Sequence, residues 1–339
     1  MKPLTVPPIL RALAVLAIAT LLGLGSFATG ALAQTPELEK FTVAGWNKPI
    51  TEFTNLLVDE DKGFFKARGL ALSYVPGAGG GDAIRNILTG QADAAFTDPS
   101  SFFAALDKGE RLRAIYDIYP QNVFNVVSLK SSNITKPSDL KGKKIGIYGL
   151  ASGTRLNLLL LLSQAGLSEA DVTIVVTGFL NFAPLMQGQV DATAATDTGL
   201  LVGRQKGLGE VNVMEVKNYV NVSSDFFVVR EETYQQKKEL LKKFLAAYRD
   251  SAQWMIANPQ EAASLAVKRA IDGSNPAINL EVIRLRNFST VSDTTRKNGL
   301  GAFDLATLQQ AADTYKKLGI IQRSILVADV VSQDLLPGK

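Results

Sequence analysis

The sequence predicts an α/β fold of two lobes with largely parallel sheets, two crossover segments between them and extra C-terminal helices on the first lobe. Three observations predict it. Short β-branched runs alternate with helix-length segments, as in parallel strands joined by helices. The first such block returns, in type and order, 97–99 residues later. A strand-like run, Ser223–Arg230, then precedes a helical remainder.

The recurrence is carried by short matches in one order. Gly90-Gln91-Ala92-Asp93-Ala94 returns as Gly188-Gln189-Val190-Asp191-Ala192. Lys108-Gly109 returns as Lys206-Gly207, Gly69-Leu70 as Gly166-Leu167, and Thr97-Asp98 as Thr196-Asp197. Each is weak alone; four ordered matches at nearly one offset mark a duplicated unit. The first half reads strand (Phe41–Trp46), loop, helix, strand (Ala71–Gly77), Gly-rich loop, helix (Asp82–Gly90), strand (Ala94–Asp98), helix (Pro99–Gly109). The second reads strand (Lys144–Gly149), loop, helix (Leu156–Gly166), strand (Val172–Gly178), helix (Phe182–Gly188), strand (Thr193–Asp197), then a helix toward Gly207.

Extended, Asn-bearing stretches at Pro120–Val126 and Tyr219–Asp225 are the expected crossings. The expected division is a first lobe from 34 to 122, a second from 123 to 221, and from 222 to 339 the first lobe's return strand and C-terminal helices. In that last part Leu240, Leu241, Phe244, Leu245, Tyr248, Ala252, Met255 and Ile256 form an apolar helical stripe. Asn258-Pro259 breaks it and starts another helix, and Asp304 is placed to cap the segment ending at Gly319. Trp254 reads as a core residue, and the cluster Lys237, Lys238, Lys242 and Lys243 as a solvated helix face.

Composition narrows the chemistry. The 339 residues include neither Cys nor His. A disulfide framework, a thiolate nucleophile and Cys- or His-based metal sites are excluded, and the commonest general base is missing. No cofactor or metal is expected. Residues 1–33 read as a secretory signal peptide: Lys2 and Arg11, an uncharged Ala/Leu run from Ala12 to Gly30, and Ala31-Leu32-Ala33 as the cleavage site. No Cys follows to carry a lipid. The mature chain is expected to be soluble and periplasmic. Without Lys2 and Arg11 the formal charge of +4 falls to +2, no argument for nucleic acid.

In open α/β sheets, ligands bind beyond the carboxyl ends of the strands. Each half therefore offers three loops to one shared cleft. The first half supplies Trp46, Asn47, Lys48 and Thr51, then Gly77 in the loop leading to Gly81, then Thr97, Asp98 and Ser100. The second supplies Ser152, Gly153 and Thr154, then Phe179, then Thr196 and Asp197. The crossings add Asn122, Phe124 and Asn221. A Walker phosphate loop requires G-x-x-x-x-G-K-[ST]. Gly149-Leu150-Ala151-Ser152-Gly153-Thr154 falls short of that spacing and no Lys follows. What remains is a helix N-terminus able to hold a small anion or carbonyl oxygen, or a helix capped by its own Ser152 or Thr154. Charges expected near the cleft are mixed: Lys48 and Arg155 against Glu52, Asp98 and Asp197. A zwitterion, an amine or a polar heterocycle fits that balance better than a doubly charged anion.

Several segments resemble the nitrate/sulfonate/taurine and thiamine-precursor (THI5-like) periplasmic solute-binding proteins. They are GWNKPITEF, DKGFFKARGLALSYVPG, GQADAAFTDPSS, DLKGKKIGI leading to the ASGT turn, and GQVDATAATDT, together spanning roughly residues 41–259. The resemblance implies the type II-like periplasmic-binding-protein fold and the role of a monomeric receptor for an ABC importer. Such a receptor captures a small solute, closes, and delivers it to a membrane permease driven by an ATPase on other chains. Two departures are visible. Thr196-Asp197-Thr198 stands where Trp-Asp-Pro is frequent, which removes a stacking wall. The thiamine-pyrimidine synthases of this fold use histidine, which this chain lacks. The other readings are an enzyme on the same fold acting through Asp98, Asp197 or Lys48, and a sensory module.

Overall fold

A computed structural model describes residues 37–178 and 182–338. The predicted signal peptide and Phe179 lie outside the described residues. Among the described residues, ten strands form two five-stranded sheets. The first contains β1 (Glu39–Ala44), β2 (Leu70–Val75), β3 (Ala94–Thr97), β4 (Leu112–Tyr119) and β10 (Asp225–Arg230), in the order β2-β1-β3-β10-β4. The second contains β5 (Phe124–Leu129), β6 (Lys144–Ile147), β7 (Thr173–Val176), β8 (Ala192–Thr196) and β9 (Val211–Glu215), in the order β7-β6-β8-β5-β9.

The two orders are the same pattern. In each sheet the first three strands are parallel, and one strand entering from the other lobe runs antiparallel between its neighbours. That strand is β5 in the second sheet and β10 in the first. The chain changes sheet between Tyr119 and Phe124 and returns between Glu215 and Asp225. The stretch Pro120–Val126 is thus only partly a connection, because Phe124–Val126 already lies in a central strand.

The repeated G-Q-x-D-A motif has a local structural cause. Asp93 accepts a hydrogen bond at Oδ2 from the N–H of Thr42 and donates its own N–H to the Thr42 carbonyl. Asp191 does the same to Lys144. Each Asp brackets one residue of the first strand of its lobe and so sets that strand's register against the third.

Helices cover both faces of each sheet, so the central strands are buried on both sides. One face of the first sheet packs Phe41, Phe53, Phe96 and Phe227 against Leu241, Phe244, Leu245 and Tyr248 of the Lys238–Ala257 helix. The other packs Phe102, Phe103 and Phe226 against Leu308, Ala311 and Tyr315 of the Leu305–Lys317 helix, which Asp304 caps. In the second sheet, Leu158, Leu161 and Leu162 of the Gly153–Ser163 helix cover Val126, Ile145 and Ala192. The four lysines of the basic cluster pair with Asp93, Asp334, Glu239 and Glu39, a solvated face. Trp254 packs on Phe64, with the Lys62 ammonium over its ring.

Asp117, buried on β4, accepts a hydrogen bond from Ser223 Oγ at 2.7 Å. Burial pushes its carboxyl up to about 8, against the pull of the Ser223 bond and with a smaller push from Asp304. An unfolded Asp ionises near ~3.9. Between those values the native state holds the extra proton, so stability falls as pH rises, by up to about 1.4 kcal/mol per pH unit. Asp117→Asn keeps the oxygen that accepts from Ser223 and should flatten this fall between pH 5 and 8. Urea denaturation at each pH checks it; an unchanged slope would refute the assignment.

Candidate functional site

A cavity of about 290 Å³ lies between the lobes. Its lining follows the topology. Trp46, Asn47 and Lys48 come from the loop after β1, Gly77–Gly80 from the loop after β2, and Asp98 from the end of β3. Tyr148, Ser152, Gly153 and Thr154 follow β6, Gly178 follows β7, and Thr196 ends β8. Val123 of the first crossing, Phe124 at the start of β5, Asp225 at the end of the second crossing, Glu52 and Arg286 complete the wall. Six strands thus present their carboxyl ends, or the loops beyond them, to one space, as open parallel sheets do.

Lobe meets lobe around this space. The glycine at 153 lets its helix approach the first crossing: a Cβ there would stand 2.6 Å from Phe124 Cζ. The same point lies 3.5 Å from Asp98 Cγ, so the positive end of the Gly153–Ser163 helix already faces a carboxyl group. No side chain caps that helix. Ser152 Oγ instead donates to the Gly149 carbonyl at 2.7 Å, and Thr154 Oγ1 accepts from the Tyr148 N–H at 3.1 Å. Both hydroxyls shape the turn rather than cap the helix. Tyr148 closes the second lobe's side, its hydroxyl oxygen accepting from the Thr196 N–H at 3.2 Å. Its phenol is pushed up to about 12, mainly by burial.

The three cavity acids differ in what they touch. Asp98 caps the Pro99–Asp107 helix, accepting from Ser101 N at 2.9 Å, from Ser101 Oγ at 2.7 Å and from Ser100 Oγ. Glu52 accepts from Thr198 Oγ1 of the second lobe and lies 3.6 Å from Arg286 Nε. The Asp225 carboxyl makes no hydrogen bond to protein among the described residues, and burial together with Asp98, Glu52 and Asp117 raises it well above the ordinary range. Asn47 Nδ2 is a buried amide nitrogen with no protein acceptor among the described residues.

Sequence reasoning missed both Asp225 and Arg286 as cavity residues. Arg286 is 1% exposed and stands on the Pro276–Thr290 helix, with its guanidinium 5.2 Å from the Tyr119 ring centroid. It pairs with Glu52 on its own lobe and with Asp197 across the seam. This helix packs on the first lobe and also leans on the Asp197–Gln205 helix of the second. Its motif context carries no signal, since an Arg in a mixed helical stretch reads as surface.

Other expected cleft residues sit elsewhere, for definite reasons. Asp197 is not the counterpart of Asp98. Thr196 takes the capping place in the second lobe, which puts Asp197 one residue inside its helix and turns its side chain by about 100°. It lies behind Arg286, beside a second crevice that includes Leu200 and Arg204. Arg155 leaves the cleft to pair with Glu169 at 2.8 Å. Thr51 is buried against Asp272 and Asn279. Thr97 bonds the Gly80 carbonyl, and Ser100 stands behind Asp98. Asn122 and Asn221 are spent on each other: the Asn122 N–H donates to Asn221 Oδ1 at 2.9 Å, and Asn122 Nδ2 to Asn157 Oδ1 at 2.8 Å. The Asn122–Asn221 bond ties the two crossings together. Among the described residues no cluster of acids is arranged to hold a metal ion.

Comparison with known proteins adds relatives. A family model described as "NMT1/THI5 like" matches residues 50–262. Riboflavin-binding protein RibY of Chloroflexus aurantiacus is 25% identical over 311 residues, covering 89% of this chain and 88% of that one. The 4-amino-5-hydroxymethyl-2-methylpyrimidine phosphate synthase THI5 of Saccharomyces cerevisiae is 21% identical, covering 61% of this chain and 64% of that one. Among solved structures, the alkanesulfonate-binding protein SsuA of Xanthomonas axonopodis pv. citri, bound to MOPS, superposes with a TM-score of 0.69 at 16% identity, covering 88% of this chain and 99% of that one. The architecture is therefore the periplasmic-binding-protein fold.

Proposed function

The chain belongs to the NMT1/THI5-like family, and from that premise we propose that it is the solute-binding component of an ABC importer. In this reading it is exported to the periplasm, captures a small polar organic solute by hinge closure, and hands it to a permease and its ATPase. Sulfonate- or taurine-like and pyrimidine-precursor-like solutes are the classes suggested by the resemblance and by the names of the relatives. The observation that carries the reading is the cavity itself: two lobes, connected by two adjacent crossings, furnish one space of about 290 Å³ from matched strand-end loops. Such a pair of bodies can move about the crossings, and ligand shifts the population toward closure by its preference for that form. Among the described residues no helix is long and apolar enough to cross a membrane, so delivery would fall to a separate permease.

The second reading, an enzyme, is favoured by one observation, the relatives named as synthases. Of the three side chains it would use, Asp98 is saturated by its own helix and Asp197 is paired with Arg286, which leaves Lys48 at the rim. One experiment separates the readings. Solute released from the purified protein by mild denaturation is identified by mass spectrometry and returned to refolded protein in a calorimeter. A receptor binds it one to one and gives it back unchanged; conversion to a product would overturn the receptor reading.

A further inference from the structure

Within the receptor reading, on which it rests, we propose that Asp225 is the specificity determinant of the cleft: it binds a cationic, N–H-rich group of the solute and gives up its own proton to solvent on binding. The placement is the first argument. Asp225 opens β10 at the point where the second crossing re-enters the first lobe, and its side chain lines the cavity while the residue is only 6% exposed. Its neighbours on the crossing are all engaged. Ser223 donates to Asp117, and Ser224 Oγ donates to the Gln121 carbonyl and accepts from the Val123 N–H. Of these side chains only the Asp225 carboxyl has no hydrogen bond to protein among the described residues, which leaves its oxygens open to the cavity and to a ligand there.

Charge is the second argument. The groups facing Asp225 are Asp98 after β3, Glu52 from the turn after β1, Asp117 and Tyr119 on β4, and Tyr248 on the Lys238–Ala257 helix. Across the cavity stand Arg286, committed to Glu52 and Asp197, and Lys48, an exposed residue. Two uncapped helix N-termini reach the cavity, at Gly79–Gly80 and at Ser152–Gly153, and the Asp98 carboxyl lies beside both. The wall carries three carboxyl groups against two cations, and with Glu52 held by Arg286 and Asp98 by its own helix the uncommitted acid is Asp225, a poor partner for a sulfonate and a good one for an amine or amidine. Burial, and then the neighbouring Asp98, Glu52 and Asp117, raise the Asp225 carboxyl and so favour its protonated form in the free cleft. An entering cation stabilises the ionised form, so one carboxyl O–H breaks and its proton leaves to water while the solute keeps its own.

Three probes of one shape test this: benzamidine, benzamide and benzenesulfonate, titrated calorimetrically into the full mature chain in phosphate and in Tris at pH 6, 7 and 8. Benzamidine should bind at least ten times more tightly than benzamide, with benzenesulfonate weakest. Its binding should release close to one proton, read from the difference between the two buffers, and tighten up to about tenfold per pH unit. Asp225→Asn should abolish the benzamidine preference and the proton release. The buffer comparison on the unaltered protein needs no variant to fold. Tighter binding of benzenesulfonate, benzamidine binding without proton release, or failure of all three probes would each overturn the Asp225 assignment. The receptor reading stands or falls separately, on the solute that co-purifies.

Discussion

Arg286→Met is expected to destabilise the protein by about 3–5 kcal/mol, the range for removing one partner of a buried ion pair. The side chain is 1% exposed and lies between Glu52 and Asp197, so its loss leaves the buried Glu52 carboxylate uncompensated and the half-buried Asp197 without its partner. The larger consequence is for closure. Asp197 belongs to the second lobe, and Glu52 also receives the Thr198 hydroxyl from there. These contacts exist only while the lobes meet, and opening would return the carboxylates to water. The variant should therefore populate an open form, with a larger radius of gyration in small-angle scattering and weaker solute binding. Arg286→Lys keeps the charge but not the planar fork and should recover part of the loss. Replacing Glu52 and Asp197 by Gln and Asn in the Met background should recover stability as well. A melting curve and scattering profile unchanged in Arg286→Met would refute the latch.

Gly79→Ala should cost about a hundredfold in solute affinity with a smaller effect on the fold. Gly79 has φ +127°, a backbone region that L side chains rarely adopt, and a Cβ there would stand 2.9 Å from the Ala151 carbonyl oxygen of the other lobe. The strain of about 1–3 kcal/mol is present in both forms. The contact with Ala151 acts only when the lobes are together, so the penalty falls on closure. Each 1.4 kcal/mol of it is a factor of ten in apparent affinity. Calorimetry with the co-purified solute reads the affinity, and thermal melting of solute-free protein reads the fold. Equal losses in both would show that Gly79 serves the lobe and not the seam.

The sequence carried much of this fold for identifiable reasons. The paired G-Q-x-D-A segments were legible because Asp93 and Asp191 do one local job twice. The loops after β1, β2 and β6 were legible because a strand followed by a glycine turn and a helix leaves few other places for a ligand. Less legible were β4, β5 and β9. In the Asn-bearing stretch leading to β5, extended connection and central strand look alike until pairing partners are known. Asp98 and Asp197 looked equivalent because their dipeptides match. A one-residue difference in where each helix starts separated them, and no local pattern records it.

By itself the sequence determined the two α/β repeats, the return of a strand to the first lobe and the glycine-bearing loops that face one another. Each of these follows from residues close together in the chain, through period, turn chemistry or a hydrogen bond to a neighbouring strand. Only the tertiary structure decided which charges meet. Glu52, Asp197, Asp225 and Arg286 come from four distant segments, and their pairing or isolation depends on how the Pro276–Thr290 helix lies across the seam between lobes. The energy of a charge is set by what surrounds it after packing, and that information is not held in any one stretch of the chain.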